Sequence, residues 1–148
     1  MTQHFLLPDA CGVVLYYLLP LSHFDLLIAC SAVRKDSLKV ALVLVGHGAE
    51  LDASRHDGMT PLHSAAFWGS EAVAQMLVTK GASLTARNAK GQETPLHVAA
   101  RRGKLRVAKV LVEGGANTTA KNREGLTPRE QAIKSEHLPV AKYLSTFK

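Results

Sequence analysis

Cysteine is nearly absent: Cys11 and Cys30 are the only two, with no Cys-x-x-Cys pair and no Cys/His cluster. That excludes a disulfide-stapled scaffold and a zinc site of ordinary ligand spacing, and it suits reduced, partly buried thiols in an intracellular protein. Aromatic residues make up 5% of the chain, with Trp68 the sole tryptophan, and none interleaves with the basic residues as base-stacking side chains do. The longest apolar run, residues 10–21, has 12 residues, where a membrane-spanning helix needs about 20. Phosphate loops, GxGxxG turns and nucleophile–base signatures are missing, and His4, His23, His47, His56 and His137 show no metal-ligand spacing. These absences argue against an enzyme, and no cofactor or metal is expected.

What is abundant is small and aliphatic. Hydrophobic residues form 47% of 148, enough for one domain with its own core. The net charge of +6 is lopsided: residues 1–86 carry five Lys/Arg against seven Asp/Glu, and residues 87–148 carry thirteen against five. A C-terminal half at +8 points to an acidic partner, although a solvated basic face is the commoner reading. Lys104, Arg106 and Lys109 form such a run.

Two markers repeat in step. Thr60-Pro61-Leu62-His63 and Thr94-Pro95-Leu96-His97 are each followed by x-Ala-Ala, and Thr127-Pro128-Arg129-Glu130 is a frayed third copy, at intervals of 34 and 33 residues. Gly48-Ala49, Gly81-Ala82 and Gly115-Ala116 recur at 33 and 34. Two phased markers make an internal repeat of solenoid period. The pattern resembles the ankyrin repeat over residues 23–148. The fold this implies is an all-α solenoid of helix–turn–helix pairs joined by β-hairpin-like turns. Repeats are expected at about 23–55, 56–88, 89–122 and 123–148.

In each unit a turn at Asp57-Gly58 or its equivalent precedes the Thr-Pro start of an inner helix, and a glycine closes the outer helix. The first repeat lacks Thr-Pro, with its inner helix expected near 25–33 and its outer helix near Leu38–Gly46. The third has one extra residue, Gly91-Gln92-Glu93-Thr94 replacing Gly58-Met59-Thr60, placed at the hairpin tip, where length changes are tolerated. In the fourth, Arg129, Glu130, Gln131 and Lys134 bring polarity suited to a terminal cap. In the family, the motif histidines brace neighbouring loops, a duty that falls here on His63 and His97. The position at which some ankyrin proteins carry a hydroxylated Asn holds Asp52, Thr85 and Thr119, so that modification is not supported.

Residues 1–22 precede the repeats. A helix over 10–19, started by Asp9 and stopped by Pro20, is expected to cover the open end of the stack. A signal peptide is the alternative, opposed by Asp9 at the edge of the run and by the absence of a preceding Lys or Arg. A truncated start of a larger ankyrin protein is another.

The resemblance implies a binding module whose fingers and inner helices line a concave face for a protein partner. After each Ala-Ala pair the column between the helices reads Arg34-Lys35, Phe67-Trp68, Arg101-Arg102 and Lys134-Ser135. Phe67-Trp68 departs from the polar pattern of the others. A lone Trp more often packs against a neighbouring repeat. The other reading is an aromatic anchor flanked by Arg34, Lys35, Arg101 and Arg102, receiving an acidic, partly apolar segment. The finger tips offer Arg55, His56 and Met59, then Ala89, Lys90, Gln92 and Glu93, then Arg123, Glu124 and Leu126. Of these, Arg55, His56, Met59, Gln92, Glu93 and Arg123 are the candidates for contact. A monomeric adaptor or inhibitor of its partner, in the cytoplasm or nucleus, is the expectation, with nucleic acid and membrane disfavoured.

Overall fold

The structure is a computed structural model that describes residues 4–8, 14–18, 38–46 and 48–147. Two strands, β1 (His4–Pro8) and β2 (Val14–Leu18), pair antiparallel from His4↔Leu18 to Pro8↔Val14. Seven helices follow among the described residues: α1 (Leu38–Gly46), α2 (Pro61–Trp68), α3 (Glu71–Thr79), α4 (Pro95–Arg101), α5 (Leu105–Glu113), α6 (Pro128–Lys134) and α7 (Leu138–Leu144). The inner helices α2, α4 and α6 pack in one row, and the outer helices α1, α3, α5 and α7 in a second row behind them. This is the all-α solenoid the repeats imply, with the hairpin lying before it in the chain.

The hairpin corrects the expected N-terminal helix. Val14, Tyr16 and Tyr17 are β-branched or aromatic, and such residues fit a pleated strand better than a helix. A short apolar run without helical periodicity is open to either form. Residues 10–13 and 19 of that expected helix, and the first inner helix expected over 25–33, lie outside the described residues.

Each regular unit is built from local rules. Thr60, Thr94 and Thr127 adopt extended backbone as N-caps, and a proline follows at the first helical position of α2, α4 and α6. There the missing N–H costs nothing and φ is already set. The outer helices α3 and α5 end in Schellman turns. The N–H of Ala82 donates to the Leu77 carbonyl and that of Gly81 to Val78. Ala116 and Gly115 repeat this on Leu111 and Val112. Gly81 at φ 93° and Gly115 at φ 98° hold left-handed backbone that glycine adopts without strain.

The core is a stack of leucine, valine and alanine. Leu62 and Leu96 come from the inner row, and Leu77, Leu111 and Leu144 from the outer, all within 2% of full burial. Ala65, Ala66, Ala99 and Ala100 are equally buried. Their small size lets successive inner helices approach closely, which accounts for the poverty in aromatics.

Candidate functional site

The second, third and fourth fingers, numbered by the repeat whose inner helix each precedes, are residues 52–60, 85–94 and 119–127, and they are tied to one another. The N–H of Ala89 donates to the Asp57 carbonyl at 2.9 Å, and that of Arg123 to Gly91 at 2.8 Å. Arg123 also sends its guanidinium back to the carbonyls of Lys90 and Ala89, at 2.9 and 3.0 Å. Arg87 bridges the carbonyls of Gln92 and Lys121. Arg123, expected as a contact for a partner, therefore braces the third finger.

The motif histidines lock each finger to the inner helix before it. His63 Nε2–H donates to the Glu93 carbonyl at 2.9 Å, and Nδ1 accepts from the Thr60 N–H at 3.2 Å. A carbonyl can only accept, so the ring is neutral with its proton on Nε2. His97 repeats this with Leu126 and Thr94. Burial pushes both imidazoles below their ordinary pKa, and the carbonyl hydrogen bonds oppose that shift without reversing it. In the last unit Glu130 takes the histidine's place. Its carboxylate accepts from the Thr127 N–H and hydroxyl, and the Thr127 hydroxyl accepts from the Glu130 N–H. The two Thr127 hydrogen bonds hold the Glu130 carboxyl below the usual range. Glu130 caps its own helix but reaches no further finger among the described residues.

The extra residue of the third unit sits in its finger. The Asn88–Glu93 turn has the Gln92 N–H donating to Asn88, where the second finger closes Gly58 onto Arg55. Gln92 consequently takes a left-handed φ of 51°. Asn88 holds the longer loop together, its Oδ1 accepting from the N–H groups of Gly91 and Glu93 at 3.0 and 3.1 Å.

Between the second and third fingers and the inner helices α2 and α4 lies a groove of about 410 Å³. Its residues include seven of the expected contacts, Arg55, Met59, Phe67, Trp68, Glu93, Arg101 and Arg102. Phe67 and Trp68 meet edge to face with ring centroids 4.9 Å apart, and the Arg102 guanidinium lies 3.7 Å over the Phe67 ring. Trp68 remains 40% exposed, so it faces the groove and is not core. Lys90, a finger-tip residue, lines it too, and Asp57, Ser64 and Asn88 line it without having been expected as contacts. His56 and Gln92 do not line it, and Arg34 and Lys35 lie outside the described residues.

Glu93 organises the base of the groove. It is 8% exposed, and its two oxygens take Arg101 Nε and a terminal guanidinium nitrogen at 2.8 and 3.1 Å, while Asn88 Nδ2 donates at 3.1 Å. Burial raises the Glu93 pKa, but the hydrogen bonds from Arg101 and Asn88 and the Arg101 charge outweigh it and hold the carboxyl below its usual range. Arg101 is thus a built-in part of the wall. Lys134, which follows it in the column, is paired with Glu124 of its own finger. Among the described residues of the basic column, Arg101 and Lys134 are internally neutralised, and the aromatic pair stands where that pattern breaks.

Among the described residues no group of three His, Cys, Asp or Glu side chains could hold a metal ion. No helix there is long and apolar enough to cross a membrane. No curated protein matches the chain. The family described as ankyrin repeats (many copies) matches residues 26–78, and the one described as ankyrin repeats (3 copies) matches residues 85–147. With phased motifs, stacked helix pairs and histidine-braced fingers agreeing with both matches, the chain belongs to the ankyrin repeat family.

Proposed function

We propose that this protein is a non-catalytic adaptor, or an inhibitor of its partner, that binds through its concave face. Ankyrin repeats generally mediate protein–protein interaction. The observation that carries the finer reading is Trp68, a large side chain held 40% exposed at the mouth of the groove between two braced fingers. Tryptophan and arginine concentrate binding energy in few residues, and a pre-braced surface loses little entropy on binding. The same reading places the protein in the cytoplasm or nucleus, acting as a monomer. Finding the tagged chain outside the cell would overturn that placement.

A photo-cross-linking amino acid at position 68 tests the surface, with the same group at Gln75 on the exposed side of α3 as the comparison. Capture of one protein from position 68 alone is expected. Capture from position 75 alone would move the interface to the outer helices. Release of that partner's activity by Trp68→Ala would identify inhibition, and loss of a third bound protein would identify an adaptor.

A further inference from the structure

We infer that the groove between the second and third fingers takes an acidic segment carrying one aromatic or long aliphatic side chain. The inference rests on the concave-face reading and adds the chemistry of what is bound. Four cations, Arg55, Lys90, Arg101 and Arg102, line the groove against two carboxylates, Asp57 and Glu93, leaving two positive charges in excess. Their pairing locates that excess. Glu93 closes Arg101, and Asp57 stands 3.6 Å from Arg55. No carboxylate among the described residues lies within ion-pair distance of Lys90 or Arg102. The positive field is therefore set by Lys90 on a finger tip and Arg102 at the end of α4, both lining the groove.

Between them is an apolar surface. Met59 and Phe67 are half-buried, and Trp68 is partly exposed. A volume of about 410 Å³ falls in the usual range of small binding pockets, roughly 300–1,000 Å³. One large side chain fits there with flanking backbone. Carboxylates beside it on the segment would reach Arg102 and Lys90, whose attraction speeds encounter and rejects basic sequences. A single-stranded nucleic acid would also meet the positive field, but it needs open aromatic faces for stacking. Here Arg102 covers one face of Phe67, and Phe67 and Trp68 are already packed edge to face against each other.

Because Trp68 is the only tryptophan, its fluorescence reports this groove directly. The full chain would be titrated with three end-blocked pentapeptides: phenylalanine flanked by two aspartates on each side, the same with lysines, and the aspartate version with alanine at its centre. A fourth titration would use oligothymidylate. The aspartate–phenylalanine peptide should shift Trp68 emission saturably, at least about tenfold tighter than the other two peptides, and weaken as salt is raised. Lys90→Glu with Arg102→Glu should invert the preference toward the lysine peptide, while Lys80→Glu, outside the groove, should leave it unchanged. Neither reversed residue has a carboxylate partner to lose, and circular dichroism confirms the fold of each variant. Equal response to the acidic and basic peptides, tighter binding of oligothymidylate, or a preference unmoved by charge reversal would each overturn the inference. If the peptides fail while position 68 still cross-links a protein, the concave-face reading stands and this inference falls.

Discussion

His63 and His97 each spend both ring nitrogens, one on the turn that starts its own helix and one on the next finger. Removing His63 leaves a buried carbonyl and a buried N–H without their partner, and removing His97 a half-buried carbonyl and a buried N–H. His63→Ala should therefore destabilise by about 2–3 kcal/mol in urea unfolding and His97→Ala by about 1–3 kcal/mol. Both imidazoles titrate below their ordinary value when folded, so the unfolded chain takes up protons first as pH falls. Their contribution is complete above about pH 6.5 and is lost as pH drops through the window below it. An unfolding midpoint that falls between pH 7 and 5, and falls less in a His97→Gln variant, is the expected result. Glu136 offers the opposite kind of change. It holds a φ of 61° at the position where Gly69 and Gly103 end the other inner helices, and it is exposed. Glu136→Gly should stabilise the chain by about 1 kcal/mol, read as a rise in melting temperature.

The finger is where sequence reasoning and structure part company most usefully. The extra residue was legible as a finger insertion because the Thr-Pro and Gly-Ala markers bracket it closely. What Arg101 does was not legible. It stands in a column of basic residues, and its partner Glu93 is eight positions away across a turn, a separation that no helix or strand period brings together. A signal did exist: Glu93 occupies the position of Met59 and Leu126, and a carboxylate in an apolar column needs a cation. Arg101→Ala would strand the buried carboxylate. A fully buried pair broken this way costs roughly 3–5 kcal/mol, and the partial exposure of Arg101 reduces this to about 1–2 kcal/mol. Restoration of stability in a Glu93→Met, Arg101→Met double variant would identify the loss as a stranded charge. Trp68→Ala, by contrast, should move the unfolding midpoint little, because the side chain is already partly in water. The N-terminal hairpin was not legible for a different reason: an apolar stretch of that length has too few turns to show a period.

Over the whole stack, equivalent positions have unequal surroundings. Ala66 and Ala100 are fully buried, each under the following helix pair, whereas Ile133 at the same position of the last described pair is 48% exposed. Leu138 beside it is 68% exposed, and the two line a broad hollow of about 550 Å³ with Arg129 and Lys142. The polar substitutions expected of this terminal unit are present, yet they frame an apolar surface. Size changes should be felt accordingly. Ala100→Ile should overpack the closely approached inner helices and cost about 1–3 kcal/mol, while Ile133→Ala should change stability by less than about 1 kcal/mol. The period, the helix pairs and the buried alanines were legible because each is repeated in the sequence. The groove was legible only in its aromatic pair, because its floor and charge balance arise from contacts between units.

A solenoid of identical units has a hidden ambiguity, since a ligand that fits one repeat fits the next after a shift of one helix pair. The six-residue Asn88–Glu93 turn, beside five-residue turns before and after it, removes that translational degeneracy. With Arg101 and Lys134 already claimed by their own fingers, a bound segment cannot slide along the stack and find a second equivalent seat. One irregular loop gives a periodic surface an origin.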